Sequence, residues 1–207
     1  GLLDLDVIAA HVIWLNENDI EVLVSHDTAA AHNPVANMIL GSGVAKIPRL
    51  LAAGLRIGVG TDGAASNDSQ NMLEAVKMAA LLHKVDSLDP ASMTAREAFG
   101  MATIGGARAL GLADSIGSLE PGKRADVVLL GGTAELANIH DPYQQVVYCA
   151  SPRSVSDVWV DGRHLLAAGV PTVVDEAEQV AKCRPLAETL VRESGLLADG
   201  MSRLCAM

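Results

Sequence analysis

Apolar residues in the first third of the chain fall into short continuous runs separated by longer amphipathic stretches. Residues 7–10, 28–31 and 55–59 read as strands, and 17–25 and 44–53 as helices. Strands that alternate with helices and read as unbroken apolar runs belong to βαβ units, whose parallel sheet is covered on both faces. A helix is expected over 71–84, where Met72, Val76, Ala79, Ala80 and His83 line one stripe. Thr94-Ala95-Arg96-Glu97 is a capping box, so another helix should start there and run to about Leu110, with Gly111 ending it.

The pattern changes after Asp114. Ile116-Gly117-Ser118-Leu119-Glu120-Pro121-Gly122-Lys123 is rich in turn formers, and 125–130 and 155–160 read as strands. Asp161-Gly162 is a two-residue hairpin signal leading into 163–166. Asp175 can cap a final helix, which Pro185 should interrupt or restart. The expected fold is α/β in three parts: 1–114, a β-rich 115–170, and a helical 171–207.

Composition narrows the function. Of the 207 residues only 2% are aromatic, so the core must be built from Ala, Leu, Val, Ile and Met. The formal net charge of −10 offers no basic footprint for nucleic acid, and the scattered Lys and Arg suit an anionic membrane no better. Cys149, Cys183 and Cys205 are far apart and in no metal-binding spacing, which fits free thiols in a reducing cytosol. No apolar run reaches membrane-spanning length, so a soluble, cytoplasmic protein is expected. The chain opens at Gly1 directly into an apolar run, which suggests a cut from something longer; tag removal or processing is the alternative.

Three polar residues stand just beyond expected strands: His11 after 7–10, His32 after 28–31, and Asp62 after 55–59. Active sites of parallel β/α folds lie at the carboxyl ends of the strands, so two imidazoles and a carboxylate there can share one site. Hydrolysis of an amidine-like carbon needs a strong nucleophile, which a bound divalent metal supplies by bringing the pKa of its water to about 7. Asp62 can be an anionic ligand and proton acceptor, and an imidazole can hydrogen-bond the attacking hydroxide or shuttle a proton. Each residue also has a structural reading: a core histidine for His11, a turn former for Asp62, a turn neighbour for His32 beside Asn33-Pro34. His26, His83, His140 and His164 are read as structural.

The segments Ala9-Ala10-His11, Ala31-His32-Asn33-Pro34-Val35-Ala36-Asn37-Met38 and Gly58-Val59-Gly60-Thr61-Asp62-Gly63-Ala64-Ala65-Ser66-Asn67 resemble the last three barrel strands of the amidohydrolase superfamily. The similarity is closest to the methylthioadenosine/S-adenosylhomocysteine deaminases and their triazine hydrolase relatives. Gly117-Ser118-Leu119-Glu120-Pro121-Gly122-Lys123-Arg124-Ala125-Asp126-Val127-Val128 resembles the segment where such chains leave the barrel and re-enter a small β-sandwich. The resemblance implies the C-terminal part of a (β/α)8 barrel, about strands six to eight, then part of a β-sandwich and a C-terminal helix. It implies that Asp62 ligates the metal and moves protons, that His11 contacts the reacting centre, and that His32 contacts substrate.

The family's His-x-His pair, its strand-five histidine and its substrate-handling glutamate do not occur here. Zinc, or another divalent metal such as iron, would take most of its ligands from an N-terminal half. Catalytic zinc normally takes three protein ligands and this chain offers one, so by itself it should be inactive. Three barrel strands also leave open edges, so the isolated chain should be unstable without that half as partner. The expected activity is deamination of a purine-type or related nitrogen heterocycle by metal-bound hydroxide. Triazine dechlorination or dealkylamination is the close alternative, and a non-catalytic half-barrel interaction module, with self-association into a homo-oligomer left open, is another. A complete site made of His11, His32 and Asp62 alone is a third.

Overall fold

The structure is a computed structural model that describes residues 1–137 and 140–195. The chain is α/β. Strand β1 (Ile8–Ala10) leads through helix α1 (Glu17–Ser25) to β2 (Ala29–His32), and α2 (Pro34–Ile39) and α3 (Ile47–Ala52) lead to β3 (Arg56–Val59). The three strands form a parallel sheet in the order β1-β2-β3, pairing Ala9 with Ala30 and Ala30 with Ile57. Among the described residues β1 and β3 are each paired on one side only.

Local chemistry sets the ends of these elements. Asn16 accepts from the Asp19 amide at 3.0 Å while Asp19 accepts from the Asn16 amide at 2.9 Å, a reciprocal cap that starts α1. Pro34 and Pro48 sit in the first turns of α2 and α3, where the missing N–H costs nothing. Helix α2 is a finding rather than an expectation, because Asn33-Pro34 reads locally as a turn.

Four helices follow: α4 (Ala64–Asn67), α5 (Met72–Ser87), α6 (Ala95–Met101) and α7 (Ile104–Ala109). Asn71 caps α5, and Thr94 and Glu97 form the expected capping box of α6. The single helix expected from Thr94 to about Leu110 is broken, since Thr103 lies outside the helical region at φ −124° and ψ −106°. The reason is tertiary. Helix α7 packs on β3, and a Cβ on Gly58 would lie 3.0 Å from the Gly106 Cα. A Cβ on Gly105 would meet the Gly100 oxygen at 2.8 Å and the Ile57 oxygen at 3.1 Å. Both are backbone atoms that cannot step aside, so Gly105→Ala should destabilise the protein by roughly 1–3 kcal/mol. A thermal melt reads this, and an unchanged midpoint would refute the close approach.

The core joins the sheet to α5 and α6 through Ala30, Ile57, Ile47, Leu50, Val76, Ala79, Ala80, Met93, Ala98 and Met101, small and aliphatic as the composition requires. Helix α8 (Pro142–Cys149), which follows β4 (Val127–Leu130) in sequence, packs on α5 and α6 and contributes Val147 to the same core. Beyond it come β5 (Val155–Val160), β6 (Arg163–Ala167), β7 (Val170–Pro171) and α9 (Glu176–Glu193). Strands β4 to β7 make an antiparallel meander. Asp161 and Gly162 have φ of 51° and 75°, as a tight two-residue hairpin of this twist demands.

Asp175 caps α9 as expected, accepting from the Glu178 amide at 3.0 Å. Pro185 does not interrupt it, contrary to expectation. Proline frees the carbonyl four residues back, and Ala181 is exposed, so water can take that bond. Cys149 and Cys183 are free and exposed, whereas Cys205 and the end of the 171–207 segment lie outside the described residues. No helix among the described residues is long and apolar enough to cross a membrane.

Candidate active site

The carboxyl ends of the three parallel strands carry the residues singled out by sequence. Strand β1 ends at Ala10, and the His11 amide still donates to the Ala31 oxygen at 2.9 Å, so the backbone is held up to the point where the side chain leaves. His11 then turns into the left-handed region at φ 68°, and Val12 follows at φ 45°. Asp62, three residues past β3, has φ 64°. Such a conformation is uncommon for the β-branched Val12, whereas aspartate and histidine enter it more readily than most residues.

The two turns bring His11 and Asp62 together, with Nε2 of one 3.7 Å from Oδ2 of the other. That gap is too long for a direct hydrogen bond and leaves both groups facing one point. Both side chains are partly exposed. The Gly63 amide donates to Asp62 Oδ1 at 2.8 Å. This bond, with the Ser66 hydroxyl and the nearby His11 imidazole adding to it, holds the Asp62 carboxyl below the usual carboxylate range. The loop is fixed from beneath: Gln70 Nε2 donates to the Asp62 oxygen at 2.8 Å and Asn67 Nδ2 to the Thr61 oxygen at 2.5 Å. A Cβ at Gly60 would lie 2.5 Å from Asn33 Oδ1, so a larger residue there would displace the Asn33 side chain.

His32 closes β2 and is buried. It is 0% exposed, and its ring lies 5.2 Å, centroid to centroid, from that of His83 on α5. Burial, with repulsion from His83 and His11 adding to it, lowers the His32 pKa to about 3. Burial likewise lowers His83 to about 4, with Asp86 opposing and Lys46 reinforcing the effect. All four ring nitrogens are buried without a hydrogen-bond partner among the described residues. Both imidazoles are therefore neutral at physiological pH. A direct contact between His32 and a substrate would require its ring to leave the core.

Among the described residues no three His, Cys, Asp or Glu are grouped closely enough to hold a metal. The reading in which His11, His32 and Asp62 alone complete a metal site fails, because His32 packs against His83 and not beside Asp62. Asp62 fits one ligand position: an ionised, partly exposed carboxylate at the mouth of a parallel sheet is a hard oxygen donor.

Sequence reasoning passed over Asn37. Its Oδ1 lies 2.7 Å from His11 Nδ1, and the residue is 1% exposed on α2. The available signal was an amide side chain within an otherwise apolar Pro-Val-Ala-Asn-Met-Ile stretch that immediately follows His32-Asn33. His83 was placed correctly on its apolar stripe, but nothing along the chain says that it meets His32.

A parallel sheet with a carboxylate and an imidazole converging at its carboxyl end has them where β/α folds carry their active sites. Residues 1–165 match the family model described as Amidohydrolase family, and the chain belongs to that family. It is 47% identical over 189 residues to the 5-methylthioadenosine/S-adenosylhomocysteine deaminase of Desulforudis audaxviator, covering 88% of this chain and 44% of that protein. It is 40% identical over 191 residues to the 5'-deoxyadenosine deaminase of Methanopyrus kandleri, covering 92% of this chain and 44% of that protein.

Solved structures agree. An adenosine deaminase from Xanthomonas campestris with bound zinc superimposes with a TM-score of 0.85 at 35% identity, over 88% of this chain and 42% of that one. The zinc complex of atrazine chlorohydrolase from Arthrobacter aurescens gives a TM-score of 0.78 at 34% identity, over 87% of this chain and 40% of that one. The motif resemblance to deaminases and triazine hydrolases is thus upheld, and the chain spans less than half the length of the curated relatives it matches.

Proposed function

We propose that this chain supplies the Asp62 side of the active site in a metal-dependent amidohydrolase that deaminates a purine-type heterocycle. The observation that carries the reading is the convergence of His11 and Asp62 at 3.7 Å, both on positive-φ turns at the strand ends. In this reading residues 1–114 are about strands six to eight of a (β/α)8 barrel. Residues 115–170 are part of a β-sandwich and 171–207 a C-terminal helical segment. The remaining metal ligands come from polypeptide equivalent to the uncovered part of the relatives.

In such a deamination, water oxygen bonds to the amidine carbon, the exocyclic C–N bond breaks, and ammonia leaves. The two protons of the water end on the ring nitrogen and on the ammonia. A divalent cation, zinc by analogy with the solved relatives, would supply Lewis acidity and a water of pKa about 7. Asp62, kept ionised by the Gly63 amide, would bind that cation through a carboxylate oxygen and can accept a proton. His11 Nε2 faces the same point and can hold a proton in transit. His32 is the proposed substrate contact, and since it is buried against His83, that contact requires its ring to move.

The relatives favour an adenine nucleoside, and the atrazine chlorohydrolase match keeps a triazine as second candidate. The test pairs this chain with polypeptide equivalent to the uncovered part of the relatives and measures ammonia release from 5-methylthioadenosine, S-adenosylhomocysteine and 5'-deoxyadenosine, with atrazine turnover alongside. Release from an adenine nucleoside supports the proposal. Turnover of atrazine alone transfers it to the second candidate, and stable association with no turnover overturns it.

A further inference from the structure

We infer that Asn37 is a positioning residue that sets the orientation and tautomer of the His11 ring. The inference rests on the proposed role of His11 but not on the identity of the substrate. Asn37 is anchored on both sides: its amide donates to the Asn33 oxygen at 3.0 Å, and its carbonyl accepts from the Ser42 amide at 2.9 Å. The side chain is thereby delivered to His11 from a rigid turn of α2. Among the described residues, its side chain makes one hydrogen bond, the 2.7 Å contact with His11 Nδ1, while its buried Nδ2 has no partner.

The chemistry follows from the inventory of donors. An amide oxygen only accepts, so Nδ1 facing Asn37 Oδ1 must carry hydrogen. A neutral imidazole has one N–H, which leaves the lone pair on Nε2, the nitrogen directed at Asp62. On taking a proton the ring keeps its bond from Nδ1–H to Asn37, and the new Nε2–H faces the Asp62 carboxylate 3.7 Å away. Were the amide turned over, Nδ2 would donate to Nδ1, and Nε2–H could only give a proton away. Both the proton-accepting form and the imidazolium need Oδ1 toward the ring. The left-handed turn at His11 aims the ring, and Asn37 locks it.

The tautomer is directly readable by long-range ring 15N–1H correlation NMR on the assembled enzyme that contains this chain, at a pH where His11 is neutral. Wild type should show a protonated Nδ1 and a pyridine-like Nε2. Asn37→Asp, which keeps an acceptor in place, should retain that pattern. Asn37→Leu should shift the ring toward the Nε2–H form favoured by free imidazole and lower kcat roughly 10–100-fold with a smaller change in KM. An Nε2–H ring in wild type overturns the inference, as does an Asn37→Leu ring and kcat that match wild type. If Asn37→Leu does not fold, the wild-type and Asn37→Asp spectra decide alone. Absence of deaminase activity would count against the proposed function, while the tautomer would still be read.

Discussion

In the assembled enzyme proposed above, replacing Asp62 with asparagine should remove turnover while leaving the protein folded. Asparagine keeps the shape of the side chain, and with aspartate it is among the few residues comfortable at the positive φ of 64° found here. The Gly63 amide can still donate to the side-chain oxygen, so the loop held by Gln70 and Asn67 should persist. Two things are lost: the anionic oxygen that would bind a cation, and the base that would accept a proton in the proposed reaction. General acid–base groups alone are worth about 10²–10⁴-fold, so kcat/KM should fall by at least that much. Steady-state assays with a circular dichroism melt check both halves. Activity within a few-fold of wild type would remove Asp62 from the chemistry; a lost melt would make its role structural.

The second large effect is acid sensitivity. His32 and His83 are held neutral by burial, with folded pKa values of about 3 and about 4 against 6.5 when exposed. Between pH 6.5 and 4 the unfolded chain therefore binds protons that the folded protein refuses. Their contribution to stability is complete above 6.5 and falls as pH drops, by up to about 1.4 kcal/mol per pH unit for each histidine. Urea unfolding at pH 7 and pH 5 should show this loss, and His83→Phe should flatten the slope by as much as one proton's share. An unaltered slope in His83→Phe would mean that His83 is protonated or solvated in the folded state.

How far the sequence speaks for itself depends on the range of the forces. Apolar runs marked β1, β2 and β3 to within a residue; β2 and β3 are covered as such runs imply, whereas β1 leaves Ile8 and Ala10 exposed. Asp161-Gly162 and the Thr94/Glu97 box are local codes, and both turned up where expected. Helix α2 escaped notice because six residues after Asn-Pro are too few to show a period. The break at Thr103 was invisible because its cause is the packing of Gly105 and Gly106 on β3, a contact between distant segments. The site follows the same division. His11 and Asp62 stood at strand ends, where position alone marked them. The ring pair of His32 with His83 and the bond from Asn37 to His11 exist only once α2 and α5 are packed.

Anomalous X-ray scattering from crystals of the active assembly, collected across the zinc edge, addresses the carboxylate at residue 62 most directly. The expected map has a cation peak about 2.0–2.2 Å from an Asp62 oxygen, with His11 Nε2 close by and the other protein ligands donated from outside this chain. A fully occupied metal whose coordination shell excludes Asp62 would contradict it.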